Sequence, residues 1–154
     1  MSVETELVEI QPFRVAGLAV RTTNAAERDP STARLPGLWS DFFARGFAGR
    51  VPHKADGSPA YGVYAGYESD ANGAYTVTAG VAVSATSADF ASVQVEGGRY
   101  LVFKASGPMP AIVFEAWSAV WSHFADAVSH RRRFTTDFEA YPAPDSVAIH
   151  IALA

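Results

Sequence analysis

Two apolar helical stripes run through the chain, each preceded by a strand-like segment and followed by two more. This doubled order most narrows what 154 residues can build. In the first half Leu35, Leu38, Trp39, Phe42, Phe43 and Phe47 recur at three- and four-residue steps, which puts them on one side of a helix. Pro36 suits its first turn. Asp41 and Arg45 form an i,i+4 pair on the far side, and Gly46 and Gly49 are stop signals. In the second half Gly107-Pro108-Met109-Pro110 opens a helix with the stripe Val113, Trp117, Val120, Trp121, Phe124 and Val128. Glu115, Ser118, Ser122 and Asp126 lie opposite, and His123 is expected on the wet side.

The strands are read from alternation, because successive side chains point to opposite faces. Residues 3–10 alternate weakly and Phe13–Thr22 more clearly, and residues 23–34 read as a polar loop. In residues 61–68, Tyr61, Val63 and Tyr67 share one face while Tyr64 and Glu68 share the other. Asn72-Gly73 is a hairpin signal. Tyr75–Val83 is the clearest half-buried strand. Residues 84–98 link the halves, with a short strand at 93–95, and residues 99–105 form another strand. Residues 133–141 form a strand that Pro142 ends, with Phe134, Thr136 and Phe138 on one face and Asp137, Glu139 and Tyr141 on the other. In residues 147–153, Val147, Ile149 and Ile151 alternate with Ala148 and His150, the latter a structural histidine among small neighbours. Hairpin-linked strands imply antiparallel pairing. The expected fold is therefore α+β and one domain over residues 1–154. Two strand-helix-strand-strand modules, about 1–85 and 95–154, stand in pseudo-twofold arrangement, with an antiparallel sheet and two main helices. A cleft between such modules is a favoured ligand site.

Composition removes several classes of function. A net charge of −4 argues against nucleic acid as the main partner. The one basic run, residues 131–133, reads as a solvated loop. The absence of cysteine excludes disulfides, thiolate metal sites and a Cys nucleophile, and fits a cytoplasmic protein. Residues 1–10 carry Glu4, Glu6 and Glu9 and do not read as a signal peptide. No apolar run reaches the roughly 18 residues needed to span a membrane. His53, His123, His130 and His150 are not at zinc-ligand spacing. Neither a Gly-rich phosphate loop nor a Gly-x-Ser-x-Gly elbow is present, and no cofactor is expected. What remains is aromatic density. Tyr64, Tyr67 and Tyr141 stand near strand ends beside Glu68 and Glu139, while Trp39, Phe42 and Trp117 lie on the helices. Glu139 falls between large aromatics. Either it reaches water, or it is desolvated and needs a partner such as a bound cation.

Four stretches resemble the GyrI-like effector-binding family. They are Tyr-Gly-Val-Tyr-Ala-Gly-Tyr-Glu-Ser-Asp at 61–70, Gly-Arg-Tyr-Leu-Val-Phe-Lys-Ala at 98–105, Gly-Pro-Met-Pro-Ala-Ile-Val-Phe-Glu-Ala-Trp-Ser-Ala-Val-Trp at 107–121, and Arg-Phe-Thr-Thr-Asp-Phe-Glu-Ala-Tyr at 133–141. The resemblance runs from about residue 5 onward and is closest to stand-alone members, including integron-cassette proteins that bind cationic drugs. It implies a fold of two strand-helix-strand-strand modules and a buried Glu that senses lipophilic cations, which falls on Glu139. On this expectation the ligand is a lipophilic or cationic aromatic molecule, met by Glu139, Tyr64, Tyr67, Glu68, Trp39, Phe42, Trp117 and Tyr141. The chain would act without direct nucleic-acid or membrane contact, as a monomer or homodimer. Some stand-alone members resemble hydrolases of reactive cyclopropane-containing antibiotics that use a Glu and a Tyr, which implies Glu139 as general base with Tyr141 or Tyr67 as acid. Others act by protein contact, which implies an interaction module.

Overall fold

The structure, a computed structural model, describes residues 3–70, 72–125 and 130–154. Its strands are β1 (Glu4–Ile10), β2 (Phe13–Thr22), β3 (Ala60–Ala65), β4 (Tyr75–Val83), β5 (Ala91–Val95), β6 (Gly98–Ser106), β7 (Thr136–Ala143) and β8 (Ser146–Ala152). Its helices are α1 (Asn24–Glu27), α2 (Leu35–Ala44), α3 (Phe47–Arg50) and α4 (Ala111–Ala125). The strands form one sheet in the order β1-β6-β8-β7-β3-β4-β2-β5, and every neighbouring pair is antiparallel.

That order reads the same outward from its centre. β3 is followed by β4, β2 and the edge strand β5; β7 is followed by β8, β6 and the edge strand β1. The α+β fold with two strand-helix-strand-strand modules is thus the one expected from the doubled pattern. The edge strands are exchanged: the N-terminal β1 pairs with β6 of the later half, and β5 pairs with β2 of the earlier one. The two halves meet where β3 pairs with β7, and Gly62 stands opposite Glu139 there.

Both helices cover one face. α2 lies on β2 and β4, and α4 lies on β6 and β8. Beneath α2, Leu38, Phe42 and Phe47 pack on Tyr75, Val77, Ala79 and Val81. Beneath α4, Ile112, Ala116 and Val120 pack on Leu101, Phe103, Ile149 and Ile151. The other face curls on itself, joining Val15, Val63, Val95, Tyr100 and Phe138 with Val8 and Ile10 of the opposite edge. This curling also buries Thr78, so the middle of β4 is covered on both faces rather than one.

Several local expectations change for identifiable reasons. The polar stretch after β2 contains α1, whose first turn is capped by the Thr23 hydroxyl accepting from the Ala26 N–H at 3.0 Å. The first apolar stripe is broken by Gly46 in the left-handed region, so Phe47 begins a separate short helix. On α4 the fully buried line is Ile112, Ala116 and Val120: Val120 is as expected, while Ile112 and the small Ala116 take the innermost places expected of Val113 and Trp117. The larger Trp117 is left half-buried and Trp121 exposed. Asp126 and Val128 lie outside the described residues. Gly66, at φ 62°, ends β3 and turns Tyr67 to the side of Tyr64; both rings pack on Tyr75, at 5.6 and 6.0 Å. The β7 strand starts at Thr136 because Phe134 has φ 56°. Phe134 therefore leaves the face of Phe138 and meets Tyr67 at 5.5 Å. Pro142 does not end the strand; it sits in a register shift between Ala140 and Ala143, where no ladder N–H is required. His150 has large neighbours, stacking on Phe138 at 4.1 Å, and burial lowers its pKa to about 4. His123 is half-buried against Phe103 and His130 rather than wet. Arg132 of the basic run pairs with the buried Asp137 instead of facing solvent.

Candidate functional site: a buried carboxylate ringed by aromatics

Glu139 is 2% exposed. Strand alternation on β7 sends Phe138 to the curled face and Glu139 to the helix face, directly at the seam of the two halves. Three neutral donors hold the carboxylate. Oε2 accepts from the Trp117 indole N–H at 2.6 Å and from the Tyr64 hydroxyl at 2.9 Å. Oε1 accepts from the Tyr141 hydroxyl at 2.8 Å. The donors come from α4, β3 and β7 itself, so both halves contribute.

Burial raises the Glu139 pKa, and the hydrogen bonds from Trp117, Tyr141 and Tyr64 pull against that rise without cancelling it. The Tyr64 and Tyr141 hydroxyls are in turn held above their ordinary range, first by burial and then by the neighbouring carboxylate. Both therefore remain protonated donors. Among the described residues no cationic side chain forms an ion pair with Glu139.

Two residues earlier on the same face, Asp137 is fully buried but differently provided for. It accepts from the Arg132 guanidinium at 2.7 Å, from the Tyr67 hydroxyl and from the Ala152 N–H at 2.8 Å. Arg132 also lies over the Phe134 ring, 4.3 Å from its centroid. Asp137 thus has an internal counter-charge.

Around Glu139 the rings form a series with one arm on each helix, the two arms meeting at the carboxylate. Trp39 meets Tyr141 edge-on at 5.4 Å and stacks on Phe43 at 5.8 Å. Trp117 meets Tyr64 at 5.2 Å and Trp121 at 6.1 Å. Phe43 is 66% exposed and Trp121 48% exposed, so the series runs from the surface to the carboxylate along both helices.

Of the residues singled out from the sequence, Glu139, Tyr64, Trp117 and Tyr141 meet in one hydrogen-bonded cluster. Trp39 abuts it through Tyr141. Phe42 is fully buried behind Trp39, at 5.7 Å edge-on. Tyr67 sits one step away, bonded to Asp137. Glu68 is exposed and stands apart from the cluster. Phe43 and Trp121 read as core residues in the sequence, yet they are the outer members of the series. Their signal is the repeat of Trp39–Phe43 and Trp117–Trp121 at four-residue spacing, one pair per helix. Gly62 is a further missed residue. A Cβ there would lie 2.7 Å from Glu139 Oε1 and 2.9 Å from Trp39 Cζ2.

The described residues hold no group of three or more His, Asp or Glu arranged for a metal ion. No helix among them is long and apolar enough to cross a membrane.

With this geometry in place, the chain can be set beside known proteins. Residues 6–153 match the family model for Cass2, the integron-associated effector binding protein. An integron cassette protein from the mobile metagenome of Vibrio cholerae is 38% identical, with a TM-score of 0.84 over 97% of this chain and 95% of that one. SAV2435, solved bound to tetraphenylphosphonium, shares the fold at 18% identity and a TM-score of 0.79, over 98% and 94% of the two chains. A putative transcription regulation protein from Staphylococcus aureus MU50 shares it at 16% identity and 0.76, over 97% of each. No curated protein matches significantly. The family resemblance carried by residues 61–70, 98–105, 107–121 and 133–141 is thereby borne out, and the chain belongs to the integron-associated effector-binding proteins.

Proposed function

We propose that this protein binds lipophilic aromatic cations, with Glu139 as counter-charge and the surrounding rings as walls. The observation that carries the reading is Glu139 itself, a buried carboxylate whose hydrogen-bond partners among the described residues are neutral donors. An uncompensated buried ion costs several kcal/mol, which a ligand's positive charge offsets. Each aromatic face adds about 0.5–2 kcal/mol of cation–π attraction. Asp137 sharpens the contrast, since Arg132 already occupies the corresponding role beside it. The exposed Phe43 on α2 and Trp121 on α4 are the outermost rings on either side of the carboxylate. Further support comes from the family's description as effector-binding and from the tetraphenylphosphonium bound by SAV2435. In this reading the chain acts on the small molecule as a monomer or homodimer, without direct contact to nucleic acid.

The test is a titration with tetraphenylphosphonium followed by tryptophan fluorescence. All three tryptophans, Trp39, Trp117 and Trp121, lie in the ring series. A saturable change at micromolar concentration is expected. Silence both in fluorescence and in calorimetry contradicts the reading.

A second reading, hydrolysis of an electrophilic xenobiotic such as a cyclopropane-containing compound, draws on the Glu139–Tyr141 contact. A desolvated carboxylate with a raised pKa suits a general base, and the Tyr141 hydroxyl 2.8 Å away suits a hydrogen-bond donor that orients it. Turnover abolished by Glu139→Gln supports it, whereas recovery of the bound compound intact after long incubation counts against it.

A further inference from the structure

We infer that Gly62 is a specificity-determining position: its missing side chain makes the recess in which the Glu139 carboxylate and the Trp39 edge lie. The inference rests on the reading of Glu139 as counter-charge to a cation.

The register puts Gly62 directly opposite Glu139 across the β3–β7 ladder, at the seam of the two halves. Side chains of directly opposed residues share a face and stand about 4.5–5.5 Å apart at Cβ. A Glu that takes this direction runs over its partner, and here it lies across the bare Gly62 backbone. A Cβ at residue 62 would meet Oε1 at 2.7 Å and Trp39 Cζ2 at 2.9 Å. Both distances are shorter than carbon contacts permit, so two groups must move together. Neither is free to do so. Oε1 is the oxygen held by Tyr141, and Trp39 is wedged between Phe43 and that same Tyr141. Oε2, held by Tyr64 and Trp117, makes no close approach to residue 62.

Gly62 is therefore coupled to one half of the site. A methyl group there pushes Oε1 off Tyr141 and Trp39 out of the seam, while the Tyr64 and Trp117 bonds act as a pivot. The carboxylate loses its depth and its aromatic cover on the Trp39 side. Water then reaches it, and a solvated carboxylate discriminates weakly between a cation and a neutral molecule of the same shape. The backbone of β3 does not require glycine on conformational grounds, because Gly62 lies in regular ladder pairing on both sides and is absent from the positive-φ positions. Its role is the space it leaves.

The experiment compares two probes of nearly equal shape, methyltriphenylphosphonium and the neutral triphenylphosphine oxide. Their dissociation constants are measured on wild type, Gly62→Ala, Tyr141→Phe and the double variant. Wild type should prefer the cation. Gly62→Ala should lower that preference by about tenfold, the scale of one charge-assisted hydrogen bond, with a smaller change for the neutral probe. Adding Tyr141→Phe to Gly62→Ala should lower it no further, because the bond is already gone. A merely structural role for Gly62 weakens both probes equally and leaves the preference intact, which overturns the inference; so do fully additive losses in the double variant. A wild type that binds both probes alike overturns the counter-charge reading and the inference with it. If Gly62→Ala does not fold alone, the same comparison is made in a Trp39→Phe background, which removes one of the two clashes. An unchanged preference there again overturns the inference.

Discussion

Asp137 and Glu139 stand two residues apart on one face of β7, both buried, and among the described residues Asp137 alone of the pair has a cation of the protein's own. Arg132 supplies it, under the cover of Phe134 and beside Tyr67. Glu139 has three neutral donors instead. Neutral donors stabilise an anion without cancelling its charge, so a field persists at the seam that a ligand can neutralise.

The Asp137–Arg132 pair is expected to be structural. Removing one member of a buried pair leaves the other uncompensated, at a cost of about 3–5 kcal/mol. Arg132→Met should therefore lower the denaturation midpoint strongly, while the ratio of cation to neutral affinity in the folded fraction stays as in wild type. Urea titration and probe binding read the two separately. A variant that keeps its stability and loses discrimination contradicts this division of labour.

Cation binding should depend on pH through Glu139. Its pKa in the free protein is raised, mainly by burial. Below that raised value a cation must displace a proton; above it the carboxylate is already charged. Affinity should rise with pH and then level off, and the proton released should appear as a buffer-dependent heat in calorimetry. Glu139→Gln should give a flat profile. A sloping profile in that variant assigns the pH dependence to another group.

The same shift has a consequence for stability without ligand. A carboxylate whose folded pKa lies above its unfolded value favours the folded state while protonated. That contribution is fully present below the unfolded value, near 4.5, and is lost as pH rises through the folded value. Gln carries no such penalty, and its amide fits the three donors if the Tyr141 hydroxyl turns to accept. The melting temperature of Glu139→Gln minus that of wild type should therefore grow as pH rises above about 5. For a chain of this size each 1 kcal/mol corresponds to about 2–4 °C. A difference that stays constant with pH would show that the carboxylate is not desolvated in solution.

Much of the fold is legible because period and order are robust signals. The alternation of Val147, Ile149 and Ile151 and the doubled strand-helix-strand-strand order lead to the observed sheet. Local readings fail where one residue resets the phase. Gly66 and Phe134 both have positive φ, and each breaks the alternation at its end of a strand. This carries Tyr67 to the side of Tyr64 and Phe134 away from Phe138. The Glu139 site is legible from strand alternation and family resemblance together. Tyr141 is legible too, on the same face of β7; that Tyr64 and Trp117 donate to the same carboxylate is not, because Tyr64 arrives through the β3–β7 pairing and Trp117 from α4 across the sheet. Arg132 looks solvated in the sequence because a run of three arginines usually is; only the fold shows that Asp137 draws one of them in.

Glu139 as the ligand's counter-charge is put to the proof by measuring Glu139→Gln against methyltriphenylphosphonium and triphenylphosphine oxide at a pH where the wild-type carboxylate is ionised. The cation should lose about 10–100-fold in affinity, about 1.4–2.7 kcal/mol, while the neutral probe changes by less than about threefold. Equal losses for both probes, or none for the cation, would contradict it.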